Sequence, residues 1–261
     1  MFLEYLKFFG IGLGTSSIVT LLGIGGGLII LPVLLYFTDV GVKPATAISA
    51  VQVFFASSFG TVFNWLQKTI NFRYALIFGI SSGITYFLGS YFTGAIPENI
   101  IKMIYLGSVI LALILFYIKR KGKNNNDREL TAKSVPEKMD YFKIIPIALV
   151  AGFSFGILGV GGGFLYVPLL ILLFDLPLKV AIGTSLMVVF FNAVPGIIGK
   201  LLSIEFDIFI GISVAVGAVI GSRIGTYLNR KVNEIVIKVI FTLLLVVIIA
   251  RVGWDLYTTF S

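Results

Sequence analysis

The sequence predicts an all-α polytopic membrane protein made of two repeats, and three observations carry that prediction. Of 261 residues, 58% are hydrophobic and 12% charged, against roughly 45–50% and about 25% in soluble domains. So little charge cannot cover a water-exposed surface. Apolar stretches close to the ~20 residues that cross a bilayer recur along the chain. One constant shift along the chain then lays the first half on the second without a gap. Gly23, Gly25, Gly26, Gly27 and Pro32 fall on Gly159, Gly161, Gly162, Gly163 and Pro168, while Ser49 falls on Ser185, Glu98 on Glu234 and Lys102 on Lys238.

Each segment follows from its length and its punctuation. The first, about 5–22, runs into the glycines of LLGIGGGLIILPVL. Residues 1–24 show no cleavable signal peptide, having one acid, one lysine and no A-x-A site. The second segment, about 28–38, rises only ~17 Å as a helix against ~30 Å of hydrocarbon. It therefore pairs with the first as a short broken-helix hairpin that meets at the glycine run. Segments at about 44–66, 72–95 and 100–118 are each long enough to span. The second half repeats the pattern at about 141–158, 164–174, 180–202, 207–228 and 235–254. This divides the chain into a first membrane repeat (1–118), a basic linker (119–140, KRKGKNNNDRELTAKSVPEKMD) and a second membrane repeat (141–261).

Charge orients the arrangement. From Lys119 to Lys143 there are eight Lys/Arg and four Asp/Glu, which marks the linker as cytoplasmic. With five segments per half the repeats are inverted, and Lys68, Arg73, Lys179, Arg230 and Lys231 share the linker's side. The opposite side receives balanced clusters, Glu4/Lys7, Asp39/Lys43, Glu98/Lys102, Lys200/Glu205/Asp207 and Arg251/Asp255. Counting each hairpin as one segment makes the repeats parallel, and it sends Lys179, Arg230 and Lys231 outward against the positive-inside bias.

Composition also excludes chemistry. There is no cysteine and no histidine, which removes thiol nucleophiles, disulfides and the usual zinc and haem ligand sets. No acid lies deep in an apolar segment. Enzymatic function, a metal and a cofactor are not expected. The net charge of +8 is a membrane-flanking charge rather than a nucleic-acid footprint. The glycine runs lack the third glycine of a dinucleotide fingerprint and the Gly-Lys-Ser/Thr of a P-loop.

Two readings of the glycine runs remain. Small-xxx-small spacing lets membrane helices approach closely, and for Gly79/Gly83 and Gly217/Gly221/Gly225 packing is the whole account. It leaves unexplained why three glycines stand together, each weakening a helix by about 1 kcal/mol. Proline is comfortable only near a helix start, so Pro32 and Pro168 predict helices that begin no earlier than about Ile29 and Leu165. Gly25, Gly26, Gly27, Gly161, Gly162 and Gly163 would then be unwound backbone leading into two helix N-termini near the midplane. Such termini favour anions, and discontinuous helices in corresponding places mark transporter sites.

Polar side chains support that reading. Ser49 and Gln52 lie on one stripe of the third segment and Ser185 and Asn192 on its counterpart, placed either to line a pathway or to hold helices together. Arg223 is the one basic residue inside an apolar segment away from its ends; it faces the site or snorkels to the nearby boundary.

Two copies of G-x-G-G-G-x-x-x-x-P in a chain of this length resemble the sulfite exporter TauE/SafE family, and Ala181-Ile182-Gly183-Thr184-Ser185 is similar to its A-x-G-T-S stretch. The resemblance implies a multi-pass protein of the cytoplasmic membrane that moves a small sulfur-containing anion of sulfite, thiosulfate or organosulfonate type. It adds Thr184 to Ser185 as a candidate contact. The expected function is a secondary transporter for such an anion, with an anion channel of the same architecture as the alternative. The partners are that small anion and the lipid bilayer, with no nucleic acid. An inside-negative potential already drives a monovalent anion outward by about 2.3 kcal/mol per 100 mV.

The positive-inside count predicts both termini outside and the linker in the cytoplasm. Single cysteines introduced at Ser261 and Asn125 test this with an impermeant thiol reagent on intact cells. Ser261→Cys should label and Asn125→Cys should not; the opposite pattern refutes the orientation.

Overall fold

The computed structural model describes residues 2–118 and 141–260, and the linker 119–140 lies outside them. The described residues form ten α-helices: α1 (Phe2–Leu22), α2 (Gly27–Phe37), α3 (Val42–Leu66), α4 (Phe72–Phe92), α5 (Glu98–Tyr117), α6 (Tyr141–Leu158), α7 (Gly163–Phe174), α8 (Leu178–Ser203), α9 (Ile208–Lys231) and α10 (Glu234–Phe260). A 3-10 turn, Thr93–Ala95, follows α4. Helices α2 to α5 begin at Gly27, Val42, Phe72 and Glu98, and α7 to α10 begin at the positions that the repeat pairs with them, Gly163, Leu178, Ile208 and Glu234. Even the caps correspond: Asn71 Oδ1 accepts the Tyr74 amide at 3.3 Å before α4, and Asp207 Oδ1 accepts the Phe209 amide at 2.8 Å before α9.

Among the described residues, seven helices are long and apolar enough to cross a membrane, and three apolar helical stretches are shorter: α2, α7 and Ile144–Leu158 of α6. For α2 and α7 the sequence length requires it. Both begin earlier than the proline argument expects, at Gly27 and Gly163 in place of Ile29 and Leu165. In α2 the reason is visible. Pro32 has no N–H to give the Leu28 carbonyl, and the Tyr105 hydroxyl from α5 donates to that oxygen instead. An outside donor therefore permits a proline deeper in the helix.

The helices pack in pairs across the two halves. Gly217, Gly221 and Gly225 of α9 sit against the carbonyls of Phe9, Leu13 and Ser17 of α1, where a Cβ would overlap them. Both series advance by one helical turn in the same sense, so α1 and α9 run parallel. Gly152 and Gly156 of α6 meet the carbonyls of Ser82 and Tyr86 of α4 in the same way. Helix α3 crosses α8 antiparallel, with Gly60 facing Leu186 and Phe54 stacked on Phe190. On the rim, Lys102 pairs with Asp255 at 2.6 Å and Phe116 with Phe241, so α5 and α10 are also antiparallel. Lys7 Nζ donates to the Phe37 carbonyl at 2.8 Å, which returns the end of α2 to the start of α1 and makes the two a hairpin.

Burial follows this plan. In their most apolar windows α3 and α8 are 56% and 61% buried, whereas α5 and α10 are 22% and 28% buried. The first two are the centre and the last two the lipid-facing edge. Large apolar side chains such as Ile84, Ile212, Leu243 and Val247 point outward with most of their surface exposed, as a hydrocarbon solvent allows and water does not. Trp65 and Trp254, exposed near helix ends, suit the membrane interface. The chain is a multi-pass membrane protein.

One packing expectation changes. Gly79 is tight against the Phe191 ring, where a Cβ would lie 2.8 Å from Cδ2, but at Gly83 the nearest atom is 3.4 Å away. Gly83 has room for a methyl group because it faces the backbone of α8 at ordinary contact distance.

Gly221→Ala should therefore lower the melting temperature in detergent, the overpacking costing about 1–3 kcal/mol. Gly107→Ala, in α5 with nothing within 4 Å of the new Cβ, should hold or raise it by removing a helix-weakening glycine worth about 1 kcal/mol. Equal shifts in the two variants would contradict the packing.

Candidate functional site

The chain leaves α1 at Leu22 and enters α2 at Gly27, so Gly23 to Gly26 must be non-helical backbone inside an apolar protein. Gly23, Gly25, Gly26, Gly159, Gly161 and Gly162 all have positive φ, between 65° and 102°, which glycine adopts freely and other residues resist. The two runs touch each other. A Cβ on Gly163 would lie 2.6 Å from the Ile24 carbonyl carbon, one on Gly27 would overlap Val160 Cα, and one on Gly161 would stand 3.4 Å from the Gly25 oxygen. Each short helix thus begins against the unwound backbone that precedes the other. The meeting point is level with the middle of the two central helices. Val53 of α3 and Val189 of α8 lie against it, with Val189 Cγ1 2.7 Å from the Cβ positions of both Gly25 and Gly161.

Non-helical backbone at membrane depth needs substitutes for water, and side chains provide them here. Ser49 Oγ donates to the Gly159 carbonyl at 2.9 Å, and Ser185 Oγ donates to the Gly23 carbonyl at 2.6 Å. The two serines are partners in the repeat, and so are the two carbonyls. Each central helix holds the glycine run of the other half. The Gly161 amide donates to the Tyr86 hydroxyl at 3.1 Å, and Asn229 Nδ2 donates to the Leu21 carbonyl.

The predicted site residues separate into three groups. The six glycines, Ser49 and Ser185 come together at the crossing. Gln52, Asn192 and Thr184 are buried nearby on the central helices but bound to other elements. Gln52 Nε2 donates to Thr15 Oγ1 at 2.6 Å and Ser16 Oγ at 2.7 Å, leaving its buried Oε1 without a partner among the described residues. Asn192 Nδ2 donates to the Tyr166 hydroxyl at 2.9 Å, and its Oδ1 accepts from Ser82 Oγ at 2.6 Å. Thr184 Oγ1 accepts the Asn71 amide at 3.0 Å. Arg223 stands apart. It is exposed on α9 beside Phe63, Gln67, Tyr227 and Arg230, while Ser222 and Thr226 of the same helix are buried. With the glycine stripe of α9 turned inward against α1, the ~100° step per residue carries position 223 outward.

Sequence reasoning overlooked three tyrosines, and it left out of the site a lysine that ends the stripe of Ser185 and Asn192. Tyr86, Tyr105 and Tyr166 are almost fully buried, with their hydroxyls on the Gly161 amide, the Leu28 carbonyl in the first turn of α2 and Asn192 respectively. Tyrosine inside an apolar segment, away from the interface where it is usual, was the available signal. Lys200, grouped in the sequence with the water-facing Glu205 and Asp207, is 1% exposed. It lies in α8 short of the helix end, and its long stem folds inward.

The sequence model of the sulfite exporter TauE/SafE family matches residues 8–252. Among curated proteins, the chain is 29% identical over 209 residues to a "Probable membrane transporter protein" of Bacillus subtilis, covering 74% of this chain and 77% of that one. A protein of the same description from Methanocaldococcus jannaschii is 28% identical over 198 residues, covering 73% and 70%. Another from Xylella fastidiosa is 31% identical over 171 residues, covering 65% and 63%. No solved structure matches the chain.

The geometry makes substitution at the crossing costly to the fold itself. Alanine in a left-handed conformation costs about 1–2 kcal/mol. At Gly162 (φ 76°, ψ 3°) its methyl would also drive into the Phe155 ring, which packs against Phe164 and Tyr166. Gly162→Ala should therefore lower the melting temperature more than Gly83→Ala, a helical position whose new methyl would find its nearest atom 3.4 Å away. Equal or reversed losses would contradict the geometry of the bend.

Proposed function

The chain belongs to the sulfite exporter TauE/SafE family of membrane transporters, and we propose that it is a secondary transporter for a small sulfur-containing anion bound where the two glycine runs cross. The observation that carries this reading is the convergence of two helix N-termini, those of α2 and α7, on one point in the interior. Each contributes roughly half a positive charge from its aligned first-turn amides, and no carboxylate is among the residues that meet there. Ser49 and Ser185 are hydroxyls already turned to this point. With Gln52 and Asn192 they form a neutral polar lining that can exchange protein hydrogen bonds for oxyanion ones.

Val53 and Val189 fill the space between the runs, so the arrangement corresponds to a closed conformation. Binding then requires α3 and α8 to part from the hairpin tips, and access from one face at a time follows if they part at one end. The parallel pairs α1/α9 and α4/α6, with the antiparallel α3/α8 and α5/α10, support two inverted repeats of residues 1–118 and 141–261. In such a fold the same motion in either half opens opposite faces. A closed crossing also favours a carrier over an open anion channel.

Counterflow in proteoliposomes tests the reading. Radiolabelled sulfite should enter vesicles preloaded with unlabelled sulfite, saturate with concentration, and be competed by thiosulfate or a small organosulfonate. Unitary conductance steps would favour the channel, and no flux of any of these anions would remove the anion assignment.

A further inference from the structure

We propose that Lys200 is an anion-binding residue whose ammonium supplies the formal charge for a small oxyanion beside the Gly159 bend. The inference rests on the anion reading above and assigns it a cation that the glycine crossing itself lacks. Lys200 Nζ donates to Thr93 Oγ1 at 2.6 Å, to the Ile157 carbonyl at 2.7 Å and to Thr46 Oγ1 at 3.1 Å. All three acceptors are neutral. Glu205 and Asp207, the acids nearest in sequence, are exposed, and no carboxylate is among the ammonium's hydrogen-bond partners. A buried charge without a counter-ion is costly even when hydrogen-bonded.

A purely mechanical role does not call for that charge. The ammonium ties α8 to α3, to the turn after α4 and to the end of α6. Its partner position in the first repeat is Asn64, whose Nδ2 donates to the Gly60 carbonyl at 2.8 Å. The carbonyl corresponding to Ile157, that of Leu21, is held by Asn229, which corresponds to Thr93. Neutral amides thus close one end of the molecule in the same way. The positive charge is what distinguishes the other end.

Its surroundings suit a small oxyanion. The lysine stem runs along the glycine bend, and a Cβ on Gly159 would stand 3.4 Å from Lys200 Cε. Gly159 leads directly into Gly161–Gly163. Toward the start of α3, Lys43 is half-buried and donates to the Gly94 carbonyl at 2.7 Å, next to Thr93, while Thr46 donates to the Lys43 carbonyl. Two basic side chains thus stand in series from the helix ends to the bend. Thr46 and Thr93 hydroxyls can rotate away from carbonyls, and an ammonium has three freely turning donors. An anion with several acceptor oxygens could take protons from all three groups and supply the missing counter-charge. Because Asn64 is neutral, this station exists on one side of the crossing only.

The test uses the purified full-length chain in detergent, with sulfite and thiosulfate as probes and chloride as the control, read by calorimetric affinity and by melting temperature without anion. Lys200→Gln and Lys200→Met should each bind at least tenfold more weakly than the wild type, with a melting temperature equal or higher because a buried charge has gone. Lys43→Gln should lose less affinity than either. Affinity within twofold of wild type in a folded Lys200 variant overturns the proposal. So does failure of both variants to fold, which would make Lys200 a structural tie. If the wild type itself binds neither probe, the anion reading falls with it; if the wild type binds and the variants bind equally, only the role of Lys200 falls.

Discussion

Contact between two glycine-rich stretches of backbone is the constraint on which the rest of this protein depends. Ile24 to Gly27 and Val160 to Gly163 meet at the level where α3 and α8 cross, buried among the other helices. Glycine makes the approach sterically possible, since a Cβ at Gly27 or Gly163 would collide with the other run. The exposed amides and carbonyls then require partners within hydrogen-bond reach. Ser49, Ser185, Tyr86, Tyr105, Asn229 and Lys200 meet that requirement. A large share of the buried polar side chains is thereby explained by the backbone and not by a ligand.

Bringing the two tips together also dictates how the helices pack. The helices that lead into the two tips are themselves held tightly, α1 alongside α9 and α6 alongside α4. Those pairs are close because one backbone lies against glycines of the other, at Gly217, Gly221 and Gly225 and at Gly152 and Gly156. Van der Waals contact at short separation is the main attraction available between helices in lipid. Neither half encloses its own glycine run. Ser185 of the second half holds Gly23 and Ser49 of the first holds Gly159, so the two halves depend on each other for satisfied backbone.

Against this near-symmetry the differences stand out. Lys200 answers to Asn64, Thr93 to Asn229, Tyr86 to Ser222 and Tyr105 to Phe241. The corresponding serines do identical work, whereas these unmatched positions place a buried charge and two tyrosine hydroxyls on particular sides of the crossing.

The sequence by itself determined the helical membrane class, the ten segments, the two breaks to within two residues of where α2 and α7 begin, and the membership in a transporter family. Those rest on local quantities: the length of an apolar run, the density of glycine, the proline that must sit near a helix start, and motif residues at fixed spacing. Ser49 and Ser185 were legible because a polar stripe on one helical face is a periodic signal. Only the tertiary structure decided where side chains point and what they meet. Arg223, an intramembrane charge by sequence, faces outward because the glycine stripe of α9 takes the inner side. Lys200, a boundary charge by sequence, turns inward because Thr46, Thr93 and Ile157 from three other helical segments gather around its amine. Those partners are 43 to 154 residues away along the chain, and no local pattern records a contact made at that separation.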